Sequence, residues 1–365
     1  MKPNASIVIR CYNEERHIGR LLEGILCQTV KDVEIIAVDS GSTDRTAAIL
    51  AQYPVTVLTI RPEDFSFGRA LNLGCQAASG EFIIAASAHV YPVTQHWLSQ
   101  LLEPFTNPRV ALVYGKQVGN EGTKYSEHQV FAQWFPNTSH FDQDFPFCNN
   151  ANAAVRRVLW EHLRYDEQLS GLEDIDWARR AMNIGYKIAY KAEAAIVHVH
   201  DEPWAGVCNR YLREAMALKR IFPHEQFYWW DFTRLFIANA AADSFSAWRD
   251  GVLWHHWKSI LMFRLMQFWG TYRGFKSRGG LTGKLRRRLY YPPEKRGEKM
   301  NEDLLTTAGG IDYDSVSYHN SLPRGAYGVR REVRSHSQFE DWQESSLRQG
   351  GEEARTEWPL VRGVE

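Results

Sequence analysis

No stretch of this chain reaches the ~18 apolar residues that a membrane-spanning helix needs. The first apolar run, Ser6–Arg10, is too short for a cleavable leader and gives way at once to charge, so a cytoplasmic protein is expected. An excess of charge of one sign is also missing. Lys plus Arg and Asp plus Glu number 43 each, and no global field argues for nucleic acid. Cysteine is sparse: Cys11, Cys27, Cys75, Cys148 and Cys208 are dispersed, odd in number and never spaced as Cys-x-x-Cys. That pattern argues against a disulfide frame and for reduced, mostly buried thiols. No internal repeat is visible.

What is present is alternation. Apolar runs at Ser6–Arg10, Val33–Asp39, Val55–Ile60 and Glu81–Ala86 are separated by helical patterns reaching Gln28 and covering Thr43–Gln52 and Gly68–Ala78. Alternating strand and helix predicts an α/β fold around a parallel sheet with helices on both faces. Val110–Lys116 adds a strand, Gly119–Phe147 reads as a looser segment over a cleft, and Cys148–Val155 leads into a helix over Arg156–Leu163. A helix over Glu173–Asn183 stops at Gly185, and Tyr186–Tyr190 and Ala194–His200 read as two short strands. The expected division is a catalytic domain over 1–205, a helical extension over 206–290 and a polar, largely irregular tail over 291–365.

Two strand ends carry chemistry. Val33–Val38 runs into Asp39-Ser40-Gly41-Ser42-Thr43-Asp44, which puts a carboxylate at the edge where open α/β sheets bind ligands. Ser6–Arg10 runs into Cys11-Tyr12-Asn13-Glu14-Glu15, so Tyr12, Asn13, Glu14 and Asp39 share one rim. Asp39 there can accept a hydrogen bond from a nucleobase N–H. Asp174, behind Gly171 in the first turn of a helix, has its charge favoured by the helix N-terminus. His198 and His200 alternate with Val197 and Val199 and fall on one strand face.

Ser6–Glu15 followed by Glu34–Thr46 resembles the opening of family 2 glycosyltransferases, and the resemblance continues through Phe67–Gly74, Ala78–Glu81 and Leu172–Trp177. It covers roughly residues 5–200, and the specificity lies in these motifs occurring in this order. It implies the GT-A fold, a Rossmann-like nucleotide-sugar-binding mixed sheet, here with a helical C-terminal extension. It implies an inverting sugar transfer from a nucleotide-sugar donor to a glycan or lipid-linked glycan acceptor in bacterial surface polysaccharide assembly, with rhamnosyltransferases the most similar members. By the resemblance, Tyr12, Asn13, Glu14, Asp39 and Ser40 hold the nucleoside, Arg69 and Asn72 approach the donor phosphates, and Asp174 takes the proton of the acceptor hydroxyl. Glu173, Trp177 and Trp204 are the corresponding acceptor-side candidates.

The sequence departs from the family at the metal motif. The resemblance implies Mn²⁺ or Mg²⁺ on an Asp-x-Asp after the fourth strand, where this chain has Ser87-Ala88-His89. Either His89 with His198 or His200 rebuilds part of a metal site, or His89 and Arg69 meet the diphosphate directly. The missing carboxylates also motivate an alternative, a non-catalytic sugar-nucleotide or glycan-binding subunit. A dinucleotide enzyme is disfavoured because the first strand's turn lacks the glycines a pyrophosphate requires. Finally, Leu253, Trp257, Leu261, Leu265, Trp269 and Tyr272 recur at helical spacing ahead of basic residues between Lys276 and Arg288. That pairing suits a peripheral contact with an anionic inner membrane surface; the alternative is packing on the catalytic domain or a homodimer contact.

Overall fold

The computed structural model describes residues 3–277 together with Tyr290 and Ile311. Among the described residues there are eight strands: β1 Ala5–Cys11, β2 Val33–Asp39, β3 Val55–Thr59, β4 Phe82–Ser87, β5 Val90–Pro92, β6 Val110–Val118, β7 Asn152–Arg156 and β8 Lys187–His198. The α-helices are α1 Ile18–Leu26, α2 Thr46–Leu50, α3 Phe67–Ala77, α4 Trp97–Leu102, α5 Tyr125–Trp134, α6 Arg157–His162 and α7 Glu173–Asn183, followed by α8 Trp204–Ile221, α9 Trp229–Arg249 and α10 Leu253–Lys276.

The strands form one mixed sheet in the order β3-β2-β1-β4-β7-β6-β8-β5. The first four are parallel, as the alternation predicts. β7 runs antiparallel to both neighbours, β6 pairs parallel with β8, and β5 pairs antiparallel with β8. Both sheet faces are buried, which is why the strand runs are apolar throughout rather than alternating. Val8, Ile36, Val38, Leu71, Leu112 and Trp177 pack on one face, and Ile7, Ile9, Leu21, Leu22, Ile84 and Trp97 on the other. Helix α3 lies close to β1: a Cβ on Gly74 would fall 2.3 Å from Val8 Cγ1, so only glycine permits that approach. All five cysteines are free, as expected from their spacing.

Three local readings need correction. The two short strands of 186–200 are one strand, β8, whose polar middle is accommodated by a register shift against β6 between Gly115 and Gln117. The segment 119–147 is not wholly loop, because it contains α5. The stripe on α10 is only half outward-facing: Leu265, Trp269 and Tyr272 pack into a cluster with Phe232, Leu235 and Phe268. Of the basic cluster, only Lys276 is among the described residues. No described helix is long and apolar enough to cross a membrane. Residues 291–365 lie outside the described residues apart from Ile311, whose N–H donates to Val93 O at 3.1 Å.

Candidate active site

β1 and β2 end level with each other, Cys11 opposite Asp39, and Arg10 of β1 stands opposite Ser87 of β4. The turns that follow are tied together. Gly41 adopts φ +89°, a conformation that suits glycine, and swings Ser42 back so that its N–H reaches both Asp39 carboxylate oxygens at 3.3 Å. Asn13, at φ 54°, accepts from Thr43 N–H at 2.8 Å, while its own N–H donates to Ser42 Oγ at 2.9 Å. Glu14 N–H donates to Thr46 Oγ1 at 2.7 Å, and Ser40 Oγ donates to Cys11 O at 3.3 Å. Asp39 is thereby fixed at the rim and nearly buried. Beside it opens a cavity of about 130 Å³ lined by Arg10, Tyr12, Glu14, Ser40, Ser87 and His89, with Phe65, Phe67 and Tyr290 as its apolar wall.

Arg10 links this cavity to the first acid of α7, Glu173, whose neighbour is Asp174. Its guanidinium donates to Glu173 Oε1 at 3.0 Å, and Asn150 Nδ2 donates to the same oxygen at 3.3 Å. Asp174 accepts from Asn150 N–H at 2.9 Å and from Ile175 N–H at 2.8 Å. Burial, and then the neighbouring Glu173 charge, push the Asp174 carboxyl up to about 7, against those two hydrogen bonds. Leu172, just before them, is held at φ 56°. A left-handed leucine is strained, and such strain concentrates at functional turns.

The histidines converge. β5 and β8 pair so that Val90 faces His198, and Val199 N–H donates to His89 O at 3.1 Å. Nitrogens of His89, His198 and His200 lie within 4.8 Å of one another. Each Nδ1 has its own oxygen partner at 2.7 Å: Glu14 Oε1 for His89, Gln117 Oε1 for His198 and Glu127 Oε1 for His200. The His198 and His200 Nε2 atoms face each other at 3.1 Å. Burial, followed by the charges of His200 and His89, lowers the His198 pKa well below the usual range. Burial also opposes charge on His89, but Glu14 more than offsets it and the net direction is up. Burial alone would raise Glu127, yet Arg210 and His200 bring it down to about 2, so it is a fixed negative charge beneath His200. Arg210 in turn bridges Glu127 and Glu202.

Other expected contacts fall elsewhere. Asn72 is buried with its amide fully engaged by Tyr165, Glu167 and Trp160, so it braces α3 rather than reaching phosphates. Trp177 is wholly buried and donates to Leu163 O, which removes it from any acceptor surface. Glu173 is committed to Arg10 and Asn150. Arg69 is half-buried on α3, and Trp204, half-buried at the start of α8, lies under Lys124 Nζ at 5.4 Å from its ring centroid. Sequence reading missed Arg10, Gln117 and Glu127. Only Arg10 carries a signal, as a charge inside an otherwise apolar strand.

Comparison with known proteins decides the family. The sequence profile of glycosyl transferase family 2 matches residues 6–163. An uncharacterized glycosyltransferase of Rickettsia prowazekii is 34% identical over 251 residues, which span 61% of this chain and 77% of the relative. This chain belongs to glycosyltransferase family 2. The glycosyltransferase is also 28% identical over 211 residues to the O-antigen chain rhamnosyltransferase WbaN of Salmonella anatum, covering 54% of this chain and 67% of that one. It thus spans about two thirds of that relative's length. A solved mannosyltransferase from Pyrobaculum calidifontis, in complex with GDP-Man and Mn²⁺, superposes with a TM-score of 0.52 at 19% identity over 75% of this chain and 87% of that one. That likeness shows the fold, GT-A. The profile match includes Asp39 and His89 but stops before Asp174, His198 and His200.

Proposed function

We propose that this glycosyltransferase transfers a sugar, with inversion, from a nucleotide-sugar to a glycan or lipid-linked glycan acceptor in bacterial surface polysaccharide assembly. The observation that carries the reading is the rim itself: a fixed strand-end carboxylate, a histidine-rich corner and a carboxyl group of raised pKa, joined through Arg10. Asp39 receives a nucleobase N–H, and Tyr12 and Ser40 frame the nucleoside. Asp174 accepts the acceptor hydroxyl's proton as that oxygen attacks the anomeric carbon from the side opposite the departing nucleoside diphosphate. The N–H groups of Asn150 and Ile175 hold Asp174 in place, and its pKa near neutrality suits general-base work. The imidazoles of His89, His198 and His200 would hold a divalent ion, which when bound supplies charge neutralisation to the leaving diphosphate. Likeness to the Salmonella rhamnosyltransferase makes a deoxyhexose donor the first to test.

Donor binding provides that test. Asp39→Ala is expected to weaken nucleoside diphosphate affinity by about tenfold, the order of one hydrogen bond to a charged group. The step with donor already bound is expected to slow less. Isothermal titration showing unchanged affinity would remove Asp39 from the donor site.

The same reading places the acceptor side near a membrane surface. The outward stripe of α9 carries Trp230, Ile237, Phe245 and Trp248, and after the tight turn at Gly251 α10 adds Trp254, Trp257 and Leu261. Trp254 is 84% exposed. Exposed Arg234, Arg249 and Lys258 flank this aromatic tip, a composition suited to an anionic lipid interface. The chain is expected to co-sediment with anionic vesicles at low salt, and a Trp248→Asp, Trp254→Asp variant to stay in the supernatant. Wild-type protein left in the supernatant would refute the membrane contact.

A further inference from the structure

We propose that His89, His198 and His200 form an all-imidazole site that takes a borderline transition ion of the Zn²⁺ class and rejects Mg²⁺. This deepens the reading of the diphosphate end of the cleft, and it departs from the oxygen-rich metal motif that the family resemblance implies.

The donor set is the first argument. Glu14 Oε1 and Glu127 Oε1 only accept, and Gln117 presents its oxygen, so each Nδ1 carries the hydrogen it donates. Each Nε2 is left with its lone pair. The His198 and His200 lone pairs face each other at 3.1 Å, and a ring nitrogen of His89 lies within 4.8 Å of theirs. Lone pairs at that distance repel unless a cation lies between them. Ligands at Zn–N of about 2.0–2.1 Å around a tetrahedral ion sit about 3.3 Å apart, close to the 3.1 Å between His198 and His200.

Support beneath the ligands is the second argument. A histidine that binds metal through Nε2 usually donates its other N–H to a carboxylate or carbonyl, which fixes ring and tautomer. All three do so here, to oxygens on three different elements: the β1 turn, β6 and α5. Glu127 is itself anchored by Arg210. Three neutral nitrogen ligands from the protein would leave at least one position open to an oxygen of the diphosphate. Neutral imidazoles suit Zn²⁺, Co²⁺ or Ni²⁺, whereas Mg²⁺ demands six hard oxygens. Glu14 and Glu127 bond to the rings and would act on an ion through them.

The test uses the whole chain, stripped with a chelator and then desalted through an equimolar mixture of Zn²⁺, Mn²⁺ and Mg²⁺. Metal analysis is expected to find one equivalent of Zn²⁺ per chain, with Mg²⁺ retained at least about a hundredfold less. Co²⁺ in place of Zn²⁺ should give the strong visible bands of a four-coordinate site. His198→Ala and His200→Ala are expected to lose the equivalent. Gln117→Leu, which keeps all three ligands, is expected to weaken Zn²⁺ affinity about tenfold to a hundredfold in competition with a chromogenic chelator. Failure of wild-type protein to retain an ion, equal retention of Mg²⁺, or full retention by His198→Ala with an unchanged circular dichroism spectrum each overturns the proposal. Sugar transfer is assayed separately on the same samples. Transfer by wild-type protein that retains no ion sinks the metal site and leaves the transfer reading standing, and a bound ion without transfer does the reverse.

Discussion

Asp174→Asn is expected to lower kcat by about a hundredfold or more, the usual contribution of a positioned general base, while nucleotide-sugar affinity stays at the wild-type value. The substitution keeps the shape of the side chain and removes its capacity to take a proton. Donor binding survives because Asp174 does not line the cavity that Arg10, Ser40 and His89 border; its carboxylate is held by Asn150 and Ile175 N–H. Donor affinity by titration and kcat by release of nucleoside diphosphate separate the two effects. A variant that turns over at the wild-type rate would show that the proton goes elsewhere.

The second large effect is on folding. Trp177→Ala is expected to cost about 3–5 kcal/mol, the range for deleting a fully buried tryptophan. Its ring is wholly enclosed on one face of the sheet beside Ala178, Ala181 and Tyr165, and its indole N–H is spent on Leu163 O. If Trp177 instead stacked on an acceptor sugar, the substitution would raise the acceptor KM and leave the melting temperature alone. Thermal unfolding followed by circular dichroism distinguishes the two outcomes.

Trp177 also shows where sequence reading stops. An aromatic one turn after a candidate base reads equally well as a sugar platform or as core, and only the packing of α7 against the sheet decides. Asn72 fails in the same way: its spacing after Arg69 suggests phosphate, yet four hydrogen bonds consume it. The strand ends were legible because a buried parallel strand needs a continuous apolar run, so Asp39 and the Cys11–Glu15 turn stand out against it. Helix α5 was not, since its faces differ little in polarity, and Glu127 was hidden with it. Strand β8 was split because Lys191 and Glu193 interrupt its apolar pattern, a break the sheet absorbs by shifting register. The sequence pairs His89 with His198 or His200 only through the family resemblance. Their convergence depends on β5, a strand of three residues that no pattern announces.

The measurement that bears most directly on the central claim is the pH dependence of kcat with saturating donor. Asp174 works only when ionised, and burial beside Glu173 raises its carboxyl to about 7. The rate is therefore expected to be level above about pH 8 and to fall by about tenfold for each unit below the pKa, as a single ionisation requires. In Asp174→Asn the residual rate should lose that acid limb. An acid limb that persists unchanged in the variant, or a wild-type rate that stays flat down to about pH 5, would contradict Asp174 as the base.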